Sequence, residues 1–115
     1  MTNEQRTALI AYVASIREHY GQRLVEIVAF GSRARGDNDN ESDLDIAVIL
    51  KDGDWDEWVE TRWLAREAYW PLVHGDLRIQ PLPLPQSVWL DPLRHGNPRL
   101  VQNIKNDARR LEDAA

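Results

Sequence analysis

Asp43 and Asp45, with one residue between them, and the pair Gly31–Ser32, separated from Asp43 by ten residues, are the groups in this sequence whose types and spacing can do chemistry; all lie within GSRARGDNDNESDLDIAVIL. Carboxylates on alternate residues of a strand project from the same side, because successive side chains point to opposite faces. Charges that close repel and raise each other's pKa unless a divalent cation bridges them. Oxygen ligands of this kind suit Mg²⁺ or Mn²⁺, which keep waters and substrate phosphates in their remaining positions. A glycine that stops a strand takes φ > 0 and lets a ligand approach the main chain, while the Ser32 hydroxyl and the following N–H groups donate to phosphate oxygens. Together these residues describe a phosphate-and-metal site, the arrangement that chemistry on a nucleoside triphosphate needs.

Two apolar segments must position them. Residues 24–30 (LVEIVAF) and 44–50 (LDIAVIL) are short, rich in β-branched residues, and read as buried strands. Gly31 ends the first, residues 32–35 open a short helix, and a polar, turn-rich loop leads to the second, where Leu44 and Ile46 point into the core. Arg33 and Arg35 lie inside the loop; each either contacts triphosphate oxygens or pairs with Asp37 and Asp39.

Residues 31–50 resemble the signature of the DNA polymerase β-like nucleotidyltransferase superfamily, and the short chain resembles its minimal nucleotidyltransferase (MNT) branch. The match lies at Gly31, Ser32, Asp43 and Asp45, with GSRARG and SDLDIAV around them. The resemblance implies an α+β (mixed α/β) fold with a three- to four-stranded mixed sheet flanked by helices. It also implies Mg²⁺ (or Mn²⁺) held by Asp43 and Asp45, and a triphosphate, most simply ATP, held by Gly31, Ser32 and Arg33. Small MNT proteins are commonly paired with a HEPN-family protein in toxin–antitoxin modules, where the MNT member is the antitoxin and in some cases adenylylates the toxin.

The 115 residues form one expected domain, residues 1–115, large enough for a single core but small for an enzyme that must also bind a second substrate. Charged residues at 29% and hydrophobic ones at 43% exclude a disordered chain. The absence of cysteine excludes disulfides and thiolate metal sites. No apolar run approaches a membrane span and the N-terminus lacks a signal-peptide pattern, so a cytoplasmic location is expected. A net charge of −5 argues against a nucleic-acid partner. The cluster Arg94, His95, Arg99, Lys105, Arg109 and Arg110 reads as a solvated helix face.

Around the two strands, Thr2 or Asn3 caps a first helix whose stripe is Leu9, Ile10, Val13 and Ile16, ended by Gly21. Asp54 caps a second helix reaching about Val73, with Trp58, Val59, Leu64, Ala65, Ala68, Tyr69 and Leu72 apolar and Pro71 kinking its last turn. Residues 77–82 read as a third strand, PLPLP as an extended connection, residues 87–93 as a short helix, and Asn97–Pro98 as the start of a last helix through Leu111. Trp55, Trp63 and Trp70 exceed what one buried face needs and are interface candidates, whereas Trp58 and Trp89 read as core.

The family usually supplies a third carboxylate from the strand after the second helix. Asp76, Arg78 and Gln80 share one face there, and Asp76 is the only acid among them. If the position falls on Gln80 instead, an amide stands there that cannot accept a proton. Two functions follow: transfer of AMP from ATP to a protein hydroxyl, with Asp76 assisting the acceptor, or a nucleotidyltransferase-fold module that neutralises a partner by contact alone. An antibiotic-modifying enzyme resembles longer chains. Acceptor, nucleobase and oligomeric state stay open.

Overall fold

The computed structural model describes residues 1–36 and 43–111. Helix α1 spans Asn3–Tyr20. Its start is a reciprocal cap: Thr2 Oγ1 accepts from Gln5 N at 3.0 Å, and Gln5 Oε1 accepts from Thr2 N at 3.1 Å. Gly21, at φ 56°, ends it where the sequence places the stop.

Strands β1 (Leu24–Phe30) and β2 (Leu44–Leu50) have the expected bounds and pair antiparallel, with Phe30 opposite Asp45. Between them lies the short helix α2 (Gly31–Arg35). Strand β3 spans Ile79–Pro85, parallel to β2, and β4 (Arg109–Arg110) pairs antiparallel with β1. The result is a four-stranded mixed sheet in the order β3-β2-β1-β4, a mixed α/β architecture. On one face Leu44, Ile46, Val48 and Leu50 pack with Ile27 and Ala29 beneath α1; on the other, Ala47 and Ile49 pack with Val28, Leu84, Val101 and Ile104.

Several expectations from sequence are corrected. The second helix is capped by Asp56, not Asp54, and is two helices, α3 (Glu57–Glu67) and α4 (Tyr69–Gly75), joined at Ala68. Pro71 has no N–H to give the carbonyl of Glu67, and the break falls at that point. Helix α3 buries only Glu60 and Leu64, so Trp58, about 200° round the helix from Glu60, is 78% exposed rather than core. Val59 and Tyr69 are exposed too. Conversely, two of the interface candidates pack inward: Trp55 and Trp63 lie against the core, and Trp63 stacks on His19 with ring centroids 3.6 Å apart.

PLPLP is not a connection but most of β3. Pro81, Pro83 and Pro85 alternate, which puts their missing N–H groups on one side of a strand that lies at the sheet's edge. The short helix that follows, α5, spans Gln86–Leu90. The last helix, α6 (Pro98–Asp107), stops short of Leu111 because residues 109–110 leave it to become β4. The basic cluster is accordingly dispersed: Lys105 Nζ donates to the carbonyl of Trp89 at 2.8 Å, and Arg110 pairs with Glu26 at 3.5 Å. Among the described residues no helix is long and apolar enough to cross a membrane.

Candidate functional site

Strand β2 presents Asp45 as alternation requires. Leu44 and Ile46 are buried on the α1 side, and Asp45 shares the opposite side with its cross-strand neighbour Phe30, which packs with the second cluster. Gly31 follows Phe30 directly and takes φ 76°. A Cβ built on Gly31 would lie 2.5 Å from Oδ2 of Asp45, so the glycine is what lets this carboxylate sit against the turn between β1 and α2. Partial burial, and then the charge of Asp43, push the Asp45 carboxyl above its usual range.

Asp43 stands just before β2 and is held from β3. Its Oδ2 accepts from Gln80 Nε2 at 3.3 Å, and its Oδ1 lies 3.9 Å from Nη1 of Arg78. The parallel register sets Asp45 opposite Gln80, and Leu44 N donates to the carbonyl of Arg78 at 2.8 Å. Gln80, not Asp76, is therefore the residue aligned with the aspartates.

Asp76 does not reach the strand. It closes α4 in the left-handed conformation, at φ 51°. Its carbonyl accepts from Gln5 Nε2 at 3.2 Å, on the α1 side. Among the described residues no three His, Asp or Glu side chains are grouped to hold a metal ion, so Asp76 does not join Asp43 and Asp45 as a third acid. The shared face expected for Asp76, Arg78 and Gln80 does not form: Asp76 is a helix cap and β3 begins at Ile79, while Arg78 and Gln80 meet at Asp43.

Of the loop residues, Gly31 and Ser32 open α2 beside Asp45. Arg33 turns the other way: its Nη2 donates to Gln5 Oε1 at 3.3 Å, and it lines a cavity of about 310 Å³ with Arg6, Leu9, Ile10 and Arg109 on the α1 side of the sheet. Arg35 pairs with Asp107 of α6 at 2.9 Å. The alternative partners Asp37 and Asp39 lie outside the described residues. Sequence reading missed Gln5, a buried amide that joins the α1 cap, the end of α4 and α2. Its capping-box spacing from Thr2 was the only signal available.

What this geometry offers is a pair of carboxylates, one packed under a glycine turn and one steadied by an amide. Hard oxygen donors with mutual repulsion fit a divalent cation, whose charge would relieve the strain on Asp45.

Residues 10–111 match the nucleotidyltransferase domain family, and the chain belongs to it. Over 54 residues it is 43% identical to a candidate protein adenylyltransferase of Methanocaldococcus jannaschii, a match covering 47% of this chain and 52% of that protein. The matched segment thus spans about half the length of that relative. The fold resembles a candidate nucleotidyltransferase from Sulfolobus solfataricus (TM-score 0.61, 20% identity, 92% of this chain and 78% of that one). It also resembles a toxin–antitoxin structure with AMP-PNP (TM-score 0.59, 21% identity, 96% and 73%) and a mutant of the toxin–antitoxin MntA–HpeT (TM-score 0.58, 19% identity, 88% and 70%).

Proposed function

We propose that this chain transfers AMP from ATP, with Mg²⁺ or Mn²⁺, to a hydroxyl on a partner protein, and that it serves as the antitoxin of a HEPN/MNT toxin–antitoxin pair. The observation that carries the reading is the Gly31 turn packed against Asp45, whose carboxyl is raised by partial burial and by the nearby charge of Asp43. Family membership supports nucleotidyl transfer. The name of the M. jannaschii relative supports a protein acceptor, and the toxin–antitoxin structures of similar fold support the antitoxin role.

In this reading Asp43 and Asp45 hold the cation, which when bound supplies positive charge to the phosphates. The N–H groups that follow Gly31, and the Ser32 hydroxyl, donate to the β- and γ-phosphates. The acceptor oxygen forms a bond to the α-phosphorus as the bond to pyrophosphate breaks. Gln80 cannot take the hydroxyl proton, so that proton passes to solvent or to a base on the acceptor.

A second reading, neutralisation by contact alone, is favoured by the same amide at position 80 and by Trp58, Tyr69 and Trp70, exposed along α3 and α4. One experiment separates them. A HEPN-family protein encoded beside this chain is incubated with it, ATP and Mg²⁺, and weighed intact. Transfer adds AMP to the partner, and Asp43→Asn or Asp45→Asn abolishes the addition while any complex persists. Neutralisation without a mass change, equal for wild type and Asp43→Asn, rejects the enzyme; the lack of such a neighbour rejects the antitoxin role.

A further inference from the structure

Asp43 and Asp45 are fixed by different means. Asp45 is packed against Gly31, which leaves its Oδ2 little freedom to turn. Asp43 has a side chain 39% exposed and depends on Gln80 of β3 and on Arg78 just before that strand. Gln80 holds Oδ2 through a hydrogen bond, while Arg78 faces Oδ1 at 3.9 Å, an attraction too long to be a hydrogen bond. A guanidinium and a carboxylate free to approach form a two-bonded, charge-assisted pair. Among the described residues, the amide of Gln80 is the group hydrogen-bonded to Asp43 short of that pair, and the Arg78 side chain is itself 67% exposed. A closed pair would occupy the oxygens that the cation needs.

We propose that Gln80 is a positioning residue: its amide keeps Asp43 off a closed pair with Arg78, so that the carboxylate stays available beside Asp45. This rests on the reading that Asp43 and Asp45 bind a divalent cation. It also accounts for an amide at a position aligned with Asp45. Without a cation, a carboxylate there would repel both aspartates, and an apolar residue would leave Asp43 to Arg78; glutamine donates without adding charge.

The test is Mn²⁺ binding to the whole chain, followed by electron paramagnetic resonance in the presence of a non-transferable ATP analogue, with thermal unfolding as a control on folding. Gln80 is exposed, and Gln80→Ala is expected to unfold like the wild type. Its Mn²⁺ affinity should fall about tenfold, the usual consequence of removing a partner of a metal ligand. Adding Arg78→Ala to Gln80→Ala should return the affinity close to the wild-type value, and Arg78→Ala alone should leave it equal or tighter. Restoration is a response that a merely structural role for Gln80 would not give. If Asp45→Asn loses Mn²⁺ but Gln80→Ala binds like the wild type, or the double variant stays as weak as Gln80→Ala, the positioning role is overturned. If Asp45→Asn binds Mn²⁺ as well as the wild type, the metal-site reading itself falls.

Discussion

Gly31 and Asp45 occupy adjoining space so closely that a single methyl group on the glycine would stand 2.5 Å from the carboxylate oxygen. Because Gly31 also sits at φ 76°, substitution acts twice, through backbone strain and through displacement of Asp45. Gly31→Val should cost on the order of 1 kcal/mol or more of stability and abolish metal-linked ATP binding. Denaturant unfolding and calorimetric titration measure the two effects. Ser32→Ala, with no such contact, should weaken ATP binding and leave stability unchanged.

Asp45 gives a pH signature. Its carboxyl is raised in the fold by burial and by Asp43, so between the ordinary carboxylate pKa of about 4 and the raised value the folded chain binds more protons than the unfolded one. The wild type therefore loses stability as pH rises through that window. Asp45→Asn removes the loss. Without metal, the variant should melt higher than the wild type at neutral pH, and the difference should shrink as pH falls below about 4. Equal melting curves at every pH would contradict the strain assigned to Asp45.

Divalent metal should reverse that order. A cation bound to the folded chain alone stabilises it by mass action, about 2.7 kcal/mol at a concentration one hundred times Kd. Mg²⁺ or Mn²⁺ should raise the melting temperature of the wild type and leave Asp43→Asn and Asp45→Asn unmoved, with a chelator returning the wild type to its starting value.

Asp76 belongs to the chain's architecture in this structure, and its substitutions should behave accordingly. Asparagine tolerates the left-handed conformation, so Asp76→Asn should keep stability and transfer rate close to wild type. A β-branched residue does not, and Asp76→Val should cost on the order of 1–3 kcal/mol. A general base would show the opposite pattern, losing about 10²–10⁴-fold in rate on Asp76→Asn.

Gln5 offers a test of the joint behind the site. It is 3% exposed, and its side chain serves Thr2, Asp76 and Arg33. Gln5→Leu removes the part-buried hydrogen bonds to the Asp76 carbonyl and from Thr2 N and should destabilise by about 1 kcal/mol in denaturant unfolding.

The sequence by itself determined the parts of the protein set by neighbours along the chain. The β-branched runs fixed β1 and β2, glycine ended α1 and β1, a polar cap at the start of the sequence began α1, and alternation turned Asp45 away from the buried Leu44 and Ile46. Each is governed by backbone propensity or side-chain period over a few residues, and is legible without knowing what lies across the core. Tertiary structure decided which residue stands beside the aspartates. That depends on where β3 begins and on its register against β2, and both follow from packing far away in sequence. A Cβ on Gly75 would meet Ala8 at 2.6 Å and the Glu4 carbonyl at 2.9 Å, so the end of α4 is seated tightly on α1. From that seat Asp76 turns back as a cap, Leu77 is buried, and the strand starts late enough to set Gln80 opposite Asp45. Trp58 and β4 escaped sequence reading for the same reason: exposure of one helix face and pairing of two residues with β1 are settled by which surfaces the rest of the chain covers, and no local period records that.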